Sequence, residues 1–401
     1  YHLIDEDMLI ACHFELKDKK ACGIDDITKE EFDENLVRNI ENLVDRLKRK
    51  AYKPKPVRRT YIPKGNGKMR PLGIPAYEDK IVQQALNKIL IAIYEEEFLD
   101  FSYGFRPNRS CHDALKELNY IIEEGNINYI VDADIKGFFD NVNHDWLLKF
   151  VGHKIKDPNI KRLINKFLKA GILEGDELFP SEKGTPQGGI VSPTLANIYL
   201  HYTLDLWFEK IVKKYLRGQS EIIRYADDFV CCFQNEKEAT KFYDVLIKRL
   251  AKFNLAVAEE KTSIIEFGKH AETNRFKRNI GKPKTFDFLG FTHYCSKSRK
   301  GRFRVKRKTS KKKFIKKIKD FKEWIKQARY LSMDEIIAKT KAKLTGHFRY
   351  YGVTDNSYMI NSFRNNVVKL LFKWVNRRSQ RKSFSYTKLK KYLKRNPLPK
   401  G

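Results

Sequence analysis

Residues 224–230 read RYADDFV, two adjacent carboxylates, Asp227 and Asp228, inside a run that is otherwise apolar and strand-forming. Adjacent aspartates repel each other and resist burial, so a fold keeps them together at a turn, beside a cation, or on a strained functional loop. A solvated hairpin tip is the plain alternative for any isolated Asp-Asp pair. The wider stretch EIIRYADDFVCCF (221–233) is apolar on both flanks, which predicts two buried strands joined by a tight turn that carries the pair. A second acidic pattern lies upstream. In NYIVDADIKGFFDNVNHDWLLKF (128–150), Asp132 and Asp134 alternate with Val131, Ala133 and Ile135, which puts both acids on one face of a strand, with a helix opening near Asn143.

The composition narrows what such acids could serve. With 401 residues and 41% hydrophobic content the chain can bury more than one core, and two or three subdomains are expected. Lys and Arg number 81 against 50 Asp and Glu, a formal charge of +31 that points to a polyanionic partner, nucleic acid first. An anionic membrane surface is set aside, because no apolar run approaches spanning length and KILIAIY (88–94) is too short. The cysteines at 12, 22, 111, 231, 232 and 295 form no CxxC pair and have no histidine at zinc-finger spacing, so a reducing cytoplasm is expected, with Cys231 and Cys232 as small buried thiols. The first residue is Tyr1, so a trimmed amino terminus is expected.

Along the chain, Phe32, Leu36, Ile40, Leu43 and Leu47 predict one amphipathic helix from about Asp26 to Lys50, ended by YKPKP. RRTYIPKGNGKMRPLGIP (58–75) reads as two strands around a Gly-Asn-Gly turn, with Lys64, Lys68 and Arg70 near a cationic tip. A helix over roughly Glu78 to Phe98 precedes the Arg, Asn and Pro-rich loop SYGFRPNRS (102–110). GTPQGG (184–189) is a flexible loop, after which Ser192 is the expected cap and Pro193 the first helical position, with Leu195, Tyr199, Tyr202 and Leu206 as an apolar stripe. No acid occurs between Asp287 and Asp320, a composition shift that predicts a domain boundary near 298. Beyond it Phe314, Ile318, Phe321 and Ile325 form one helix face, and SMDE (332–335) is a capping box opening another helix.

Three carboxylates on two strands, Asp134 on one and Asp227 with Asp228 on a hairpin tip, could converge on a pair of Mg²⁺ ions roughly 3.5 to 4 Å apart, the arrangement that nucleotidyl transfer needs. A hairpin bearing Lys64 and Arg70 would neutralise a triphosphate. Gln187 could hydrogen-bond an incoming nucleotide while its glycine neighbours allow close backbone approach, or the loop could simply be flexible.

Taken in order, PKGNGKMRPLGIP, SYGFRPNRS, DADIKGFFDNVNH, GTPQGGIVSPTLANIYL, RYADDFV, LAVAEEKTSII and FDFLGF resemble a reverse transcriptase of the bacterial group II intron lineage, over nearly the whole chain. LTGHFRYYG (344–352) and LFKWVNRRSQRKSF (371–384) are similar to the maturase, or thumb, region of intron-encoded proteins. The resemblance implies an α+β right-hand polymerase: an N-terminal extension and fingers over 1–127, a palm with an antiparallel sheet over 128–298 (finger insertions about 150–184), and a helical thumb or maturase domain over 299–401. It implies Asp134, Asp227 and Asp228 as catalytic residues binding two Mg²⁺ ions, for which Mn²⁺ may substitute, with Ile135 beside them at a metal-binding position. Phe139 becomes the sugar gate, against a core role shared with Phe138. Lys64 and Arg70 would touch the triphosphate, Gln187 the nucleotide, and Lys261 the pyrophosphate, a surface lysine being the alternative. Phe288, Leu289 and Gly290 would form the primer grip, or plain core. Arg106, Arg109, Lys306, Arg307 and Lys308 would contact nucleic acid.

The expected partners are an RNA template, intron RNA above all, a DNA primer or RNA–DNA hybrid, and deoxynucleoside triphosphates, in a bacterial cytoplasm and away from membranes. The implied function is RNA-directed DNA synthesis together with a maturase role in splicing and retrohoming. Two alternatives stand beside it: an RNA-binding splicing cofactor with an idle polymerase site, and a reverse transcriptase domesticated for defence. The end at KRNPLPKG lacks a cysteine or histidine cluster, so strand cleavage in cis is not expected, and no RNase H region is recognised.

Overall fold

In the computed structural model, which describes residues 1–63, 69–185, 188–378 and 385–400, the strands expected around the acids pair into one antiparallel sheet. Among the described residues the unit Tyr1–Gly268 holds eight strands: β1 (Val57–Pro63), β2 (Met69–Ile74), β3 (Tyr129–Asp134), β4 (Ile172–Glu174), β5 (Glu177–Phe179), β6 (Ser220–Tyr225), β7 (Asp228–Phe233) and β8 (Ser263–Glu266). The acidic sheet has the order β6-β7-β3-β8, and every neighbouring pair in it is antiparallel. Its central strands are apolar on both faces: Phe229 to Phe233 are all fully buried, Cys231 and Cys232 included, which is what a sheet covered on both sides requires. A smaller sheet, β2-β1-β4-β5, carries the cationic hairpin.

Helices cover the sheet with the apolar faces their sequences display. Tyr77–Tyr94 buries Ile81, Val82, Ala85, Leu86 and Leu90. Ser192–Leu200 buries Leu195, Ile198 and Tyr199, then widens into a π-helical turn, His201–Asp205, before resuming at Leu206–Lys210. Val191 is the N-cap there, so Ser192 opens the helix instead of capping it, and Pro193 takes the second helical position. The single helix expected from Asp26 to Lys50 is two, Lys29–Asp33 and Leu36–Lys48, because Asn35 leaves helical geometry at φ −129° and ψ 38° between them.

The second unit, Lys269–Gly401, holds β9 (Phe286–Phe288), β10 (Phe291–Lys297) and β11 (Phe303–Thr309) in the order β11-β10-β9, followed by the helices Lys311–Ala328, Met333–Tyr351, Ser357–Val375 and Tyr386–Arg395. The boundary expected near 298 lies inside the β10–β11 hairpin, where Ser296 pairs with Arg304, and the compact units divide at Gly268 and Lys269 instead. The basic run from Lys297 marks a charged hairpin, not a domain edge. Ser332 and Glu335 form the expected capping box. Phe321, Ile325, Leu344, Phe363, Val367 and Leu371 build the helical core. No helix among the described residues is long and apolar enough to cross a membrane.

His347 sits in that core, 6% exposed and stacked on Phe363 at 3.8 Å, with no hydrogen-bond partner at either ring nitrogen among the described residues. Burial, with a smaller push from the Lys317 charge, lowers its pKa to about 4. A histidine whose folded pKa is depressed stabilises the fold fully above its unfolded value and loses that contribution as pH falls toward the folded one, here between about 6.5 and 4. Replacing His347 with Phe is expected to flatten the fall in melting temperature between about pH 7.5 and pH 5, recovering on the order of 2 kcal/mol at the acid end. Parallel melting curves for the two proteins would show that role to be absent.

Candidate active site

Asp134 ends β3 next to the centre of the sheet, and the chain beyond it is pinned on the main chain. The Ala258 amide donates to the Asp134 carbonyl at 2.7 Å, Lys136 donates to Ala256 at 2.8 Å, and Ile135 bridges Val257. A short helix, Phe138–Asn141, follows. Phe138 is buried against Tyr199, whereas Phe139 is only partly buried, edge-on to Phe138 at 5.4 Å. The pair thus divides into a core residue and a displayed one. Phe139, with Arg59, Pro71, Ile172, Gly184 and Thr185, lines a cavity of about 600 Å³.

The Asp-Asp pair lies where the strands reverse. Tyr225 pairs with Asp228, leaving Ala226 and Asp227 as a two-residue loop, and Ala226 takes a φ of +58° while Asp227 does not go positive, the pattern of a type II′ turn. A non-glycine residue in that region is strained by about 1 kcal/mol. Across the sheet Asp134 pairs directly with Asp228, so the register brings the first acid against the second strand's acid. Burial raises the pKa of Asp227, and the Asp134 charge adds to the rise while Arg70 and Arg224 oppose it. Arg70, on β2 opposite Ile62, therefore lies within electrostatic reach of the turn.

Lys261 donates its ammonium to the Asp134 carboxylate, and that bond raises the lysine's own pKa. Among the described residues no group of three His, Cys, Asp or Glu side chains is gathered as a metal site. The expected convergence of three acids is seen here as two features: the Asp134–Asp228 cross-strand pair, and Asp227 close enough to feel the Asp134 charge. The cation that Asp134 meets here is the Lys261 ammonium.

The remaining expected residues separate clearly. Lys64 and Gln187 lie outside the described residues. Arg106 is turned inward, 7% exposed, and spends its guanidinium on the Glu95 carboxylate and on the carbonyls of Glu95, Leu99 and Ser102. It is a loop staple, with no donor facing a nucleic acid. Arg109 is bound to Asp100, through both the carbonyl and the carboxylate, and lies over Tyr103.

In the second unit, Phe288 pairs with Phe291 across the two-residue turn Leu289–Gly290, whose φ values of +48° and +81° are those of a type I′ turn. Gly290 suits such a turn. Leu289 is strained there, and the Tyr350 hydroxyl steadies it by donating to its carbonyl at 2.8 Å. Lys306, Arg307 and Lys308 alternate along β11: Arg307 pairs opposite buried His293, while Lys306 and Lys308 share the other face with Arg304, opposite Tyr294, Thr292 and Ser296. Arg304, Lys306 and Lys308 therefore share one face of the strand, and the period of two puts Arg307 on the other.

One pair of contacts had no signal in the motifs. His144, the last residue of DNVNH, donates from Nε2 to the Gly184 carbonyl at 2.7 Å, and the Thr185 amide donates to the Phe139 carbonyl at 2.8 Å. Together they strap the start of the GTPQGG loop to the helix that carries Phe139 and to the next helix, His144–Lys154.

The model of the family described as reverse transcriptase (RNA-dependent DNA polymerase) matches residues 62–293, and that of the group II intron maturase-specific domain matches residues 311–393. The group II intron-encoded protein LtrA of Lactococcus lactis subsp. cremoris is 33% identical over 90% of this chain and 71% of its own length. Protein YkfC of Escherichia coli K12 is 32% identical over 71% of this chain and 78% of its own. Among solved structures, apo telomerase from Candida tropicalis truncated from its C-terminal domain has a TM-score of 0.48 at 16% identity, covering 70% of this chain and 60% of that one. With its reverse transcriptase domain matched over more than half its length and a maturase-specific domain behind it, the chain belongs to the reverse transcriptase family, in the group II intron-encoded branch, as an RNA-directed DNA polymerase with a maturase domain.

Proposed function

We propose that the end of β3 and the β6–β7 turn are the site at which the chain extends a DNA primer on an RNA template, intron RNA above all, with deoxynucleoside triphosphates as monomers, in a bacterial cytoplasm. The observation that carries the proposal is the register that pairs Asp134 with Asp228 while the turn lifts Asp227 beside them. The donor set fits Mg²⁺ or Mn²⁺: hard carboxylate oxygens, one carboxyl driven up by burial and by a neighbouring like charge, and a lysine on the other. Asp134, Asp227 and Asp228 would hold the ions, two in number. When bound, they supply charge stabilisation on the attacking and leaving oxygens of the transfer.

The chain's own residues do the rest. Arg70, whose charge is felt at Asp227, would take the triphosphate. Lys261, its proton held more tightly by the bond to Asp134, would give that proton to departing pyrophosphate. Phe139 would close the space a ribose 2′-hydroxyl needs. We assign residues 1–127 to the N-terminal extension and fingers, the acidic sheet to the palm, Phe288 to Gly290 to the primer grip, and the C-terminal helices to the thumb. The maturase domain and the Arg304, Lys306 and Lys308 face would bind intron RNA through phosphates, which gives affinity without reading sequence.

Three outcomes check this assignment. Asp227→Asn is expected to lower primer extension at least about 10³-fold while template RNA binds within about twofold of wild type, since only the transfer step loses its charge stabilisation. Extension within tenfold of wild type would remove Asp227 from the site. Phe139→Ala is expected to raise ribonucleotide incorporation by about 10-fold or more, a steric discrimination worth one to two kcal/mol; an unchanged ratio of ribonucleotide to deoxynucleotide use would return Phe139 to the core. Changing Arg304, Lys306 and Lys308 together to Gln is expected to reduce the slope of log affinity against log salt by about 2 to 3. Arg307→Gln alone should lower the melting temperature with the slope intact, and the reverse result would invert the two faces.

A further inference from the structure

The turn that carries Asp227 is strained at Ala226, whose φ is +58°. What meets it is a charged network inside the first unit. Arg224 and Asp205 are both 0% exposed. Arg224 donates from Nε to Asp205 Oδ1 at 2.7 Å and from Nη2 to Asp205 Oδ2 at 2.5 Å and Ser102 Oγ at 2.7 Å; from Nη1 it donates to Asn197 Oδ1 at 3.0 Å and to the Ala226 carbonyl at 2.9 Å. All five N–H groups of the guanidinium are therefore used.

The partners arrive from separate segments. Ser102 opens SYGF, and the main chain on either side of it also pairs with Arg224, Phe101 accepting from its amide and Tyr103 donating to its carbonyl, each at 2.9 Å. Asn197 comes from LANIYL and donates in turn to the Gly104 carbonyl at 2.7 Å. Gly104 lies so near the turn that a Cβ on it would come within 2.3 Å of the Ala226 nitrogen, so only glycine fits. Asp205 is the last residue of the π-helical turn, a local widening often found at functional sites.

Stability alone is a weak reason to keep such a pair, because a well-packed apolar pair of similar volume commonly serves as well. An apolar pair cannot reproduce the bonds to Asn197, Ser102 and the Ala226 carbonyl, and of these only the last reaches the turn itself. We infer that Arg224, neutralised and aimed by Asp205 and Asn197, is a positioning residue that fixes the Ala226–Asp227 peptide and thereby the carboxylate of Asp227. The inference rests on the reading of Asp227 as part of the polymerase site.

The test replaces the pair without leaving a buried charge. R224M/D205L, assayed as the full chain, is expected to melt within a few degrees of wild type, to bind template RNA and to show a KM for deoxynucleotides close to wild type, and yet to lose about 10²-fold in kcat, the scale of a carboxylate displaced by about 1 Å. Amide exchange over Tyr225 to Asp228 should quicken in the same variant, a readout independent of turnover. A folded double variant with kcat within threefold of wild type and unchanged exchange would overturn the inference. Should the double variant fail to fold, R224K decides. Its ammonium keeps the charge opposite Asp205 but is too short to reach the Ala226 carbonyl as well, so kcat should fall about 10-fold or more, and wild-type kcat in R224K would overturn the inference. D227N, run alongside, separates the two readings: active D227N removes the polymerase site itself, whereas inactive D227N with fully active R224M/D205L removes only the positioning role.

Discussion

The pairing register between β3 and β7 is the constraint on which the rest depends. Asp134 meets Asp228 only if the two strands are aligned as they are, and a slip by one residue would send every side chain of one strand to the opposite face. The alignment is set by burial on β3, where Val131 and Ala133 are inside while Asp132 and Asp134 are only partly buried, so a slip of that strand would turn its acids inward. Hydrophobic packing thus chooses a register whose by-product is two carboxylates placed side by side at the sheet's end. Their repulsion is the price of that choice.

The rest of the first unit reads as compensation for that repulsion. Lys261 stands on Asp134, Arg70 reaches the turn from the neighbouring hairpin, and Arg224 approaches it from within. The acids form a small negative focus in a chain of +31, with cations around it, which is the charge pattern the proposed use of a polyphosphate and its metal calls for. The same positive excess is displayed on one face of β11 as Arg304, Lys306 and Lys308, the face proposed to meet RNA phosphates.

What could be read from the sequence was whatever a local period or a turn signal encodes. The alternation in YIVDAD identified β3, the apolar flanks of YADD identified the β6–β7 hairpin, and SMDE identified a capping box. What failed depended on contacts distant along the chain. Arg106 and Arg307 look like nucleic-acid contacts when cations are counted, yet a salt bridge to half-buried Glu95 claims one and the inward parity of β11 claims the other. The composition shift near 298 reflected charge on one hairpin, since strand pairing continues across it. Ser192 looked like a cap because serine before proline usually is one, while the backbone turns one residue earlier. The Arg224 network had no signal at all, because its members come from four segments that only the fold brings together.

The central claim is that Asp134, Asp227 and Asp228 act on shared cations. Electron paramagnetic resonance of Mn²⁺ bound to the full chain with an RNA template, a DNA primer lacking its 3′-hydroxyl and the matching deoxynucleotide tests it most directly. A magnetically coupled pair of ions that disappears in Asp134→Asn is the predicted result. A single isolated ion in the wild-type complex, or a coupled pair that survives the substitution, would contradict it.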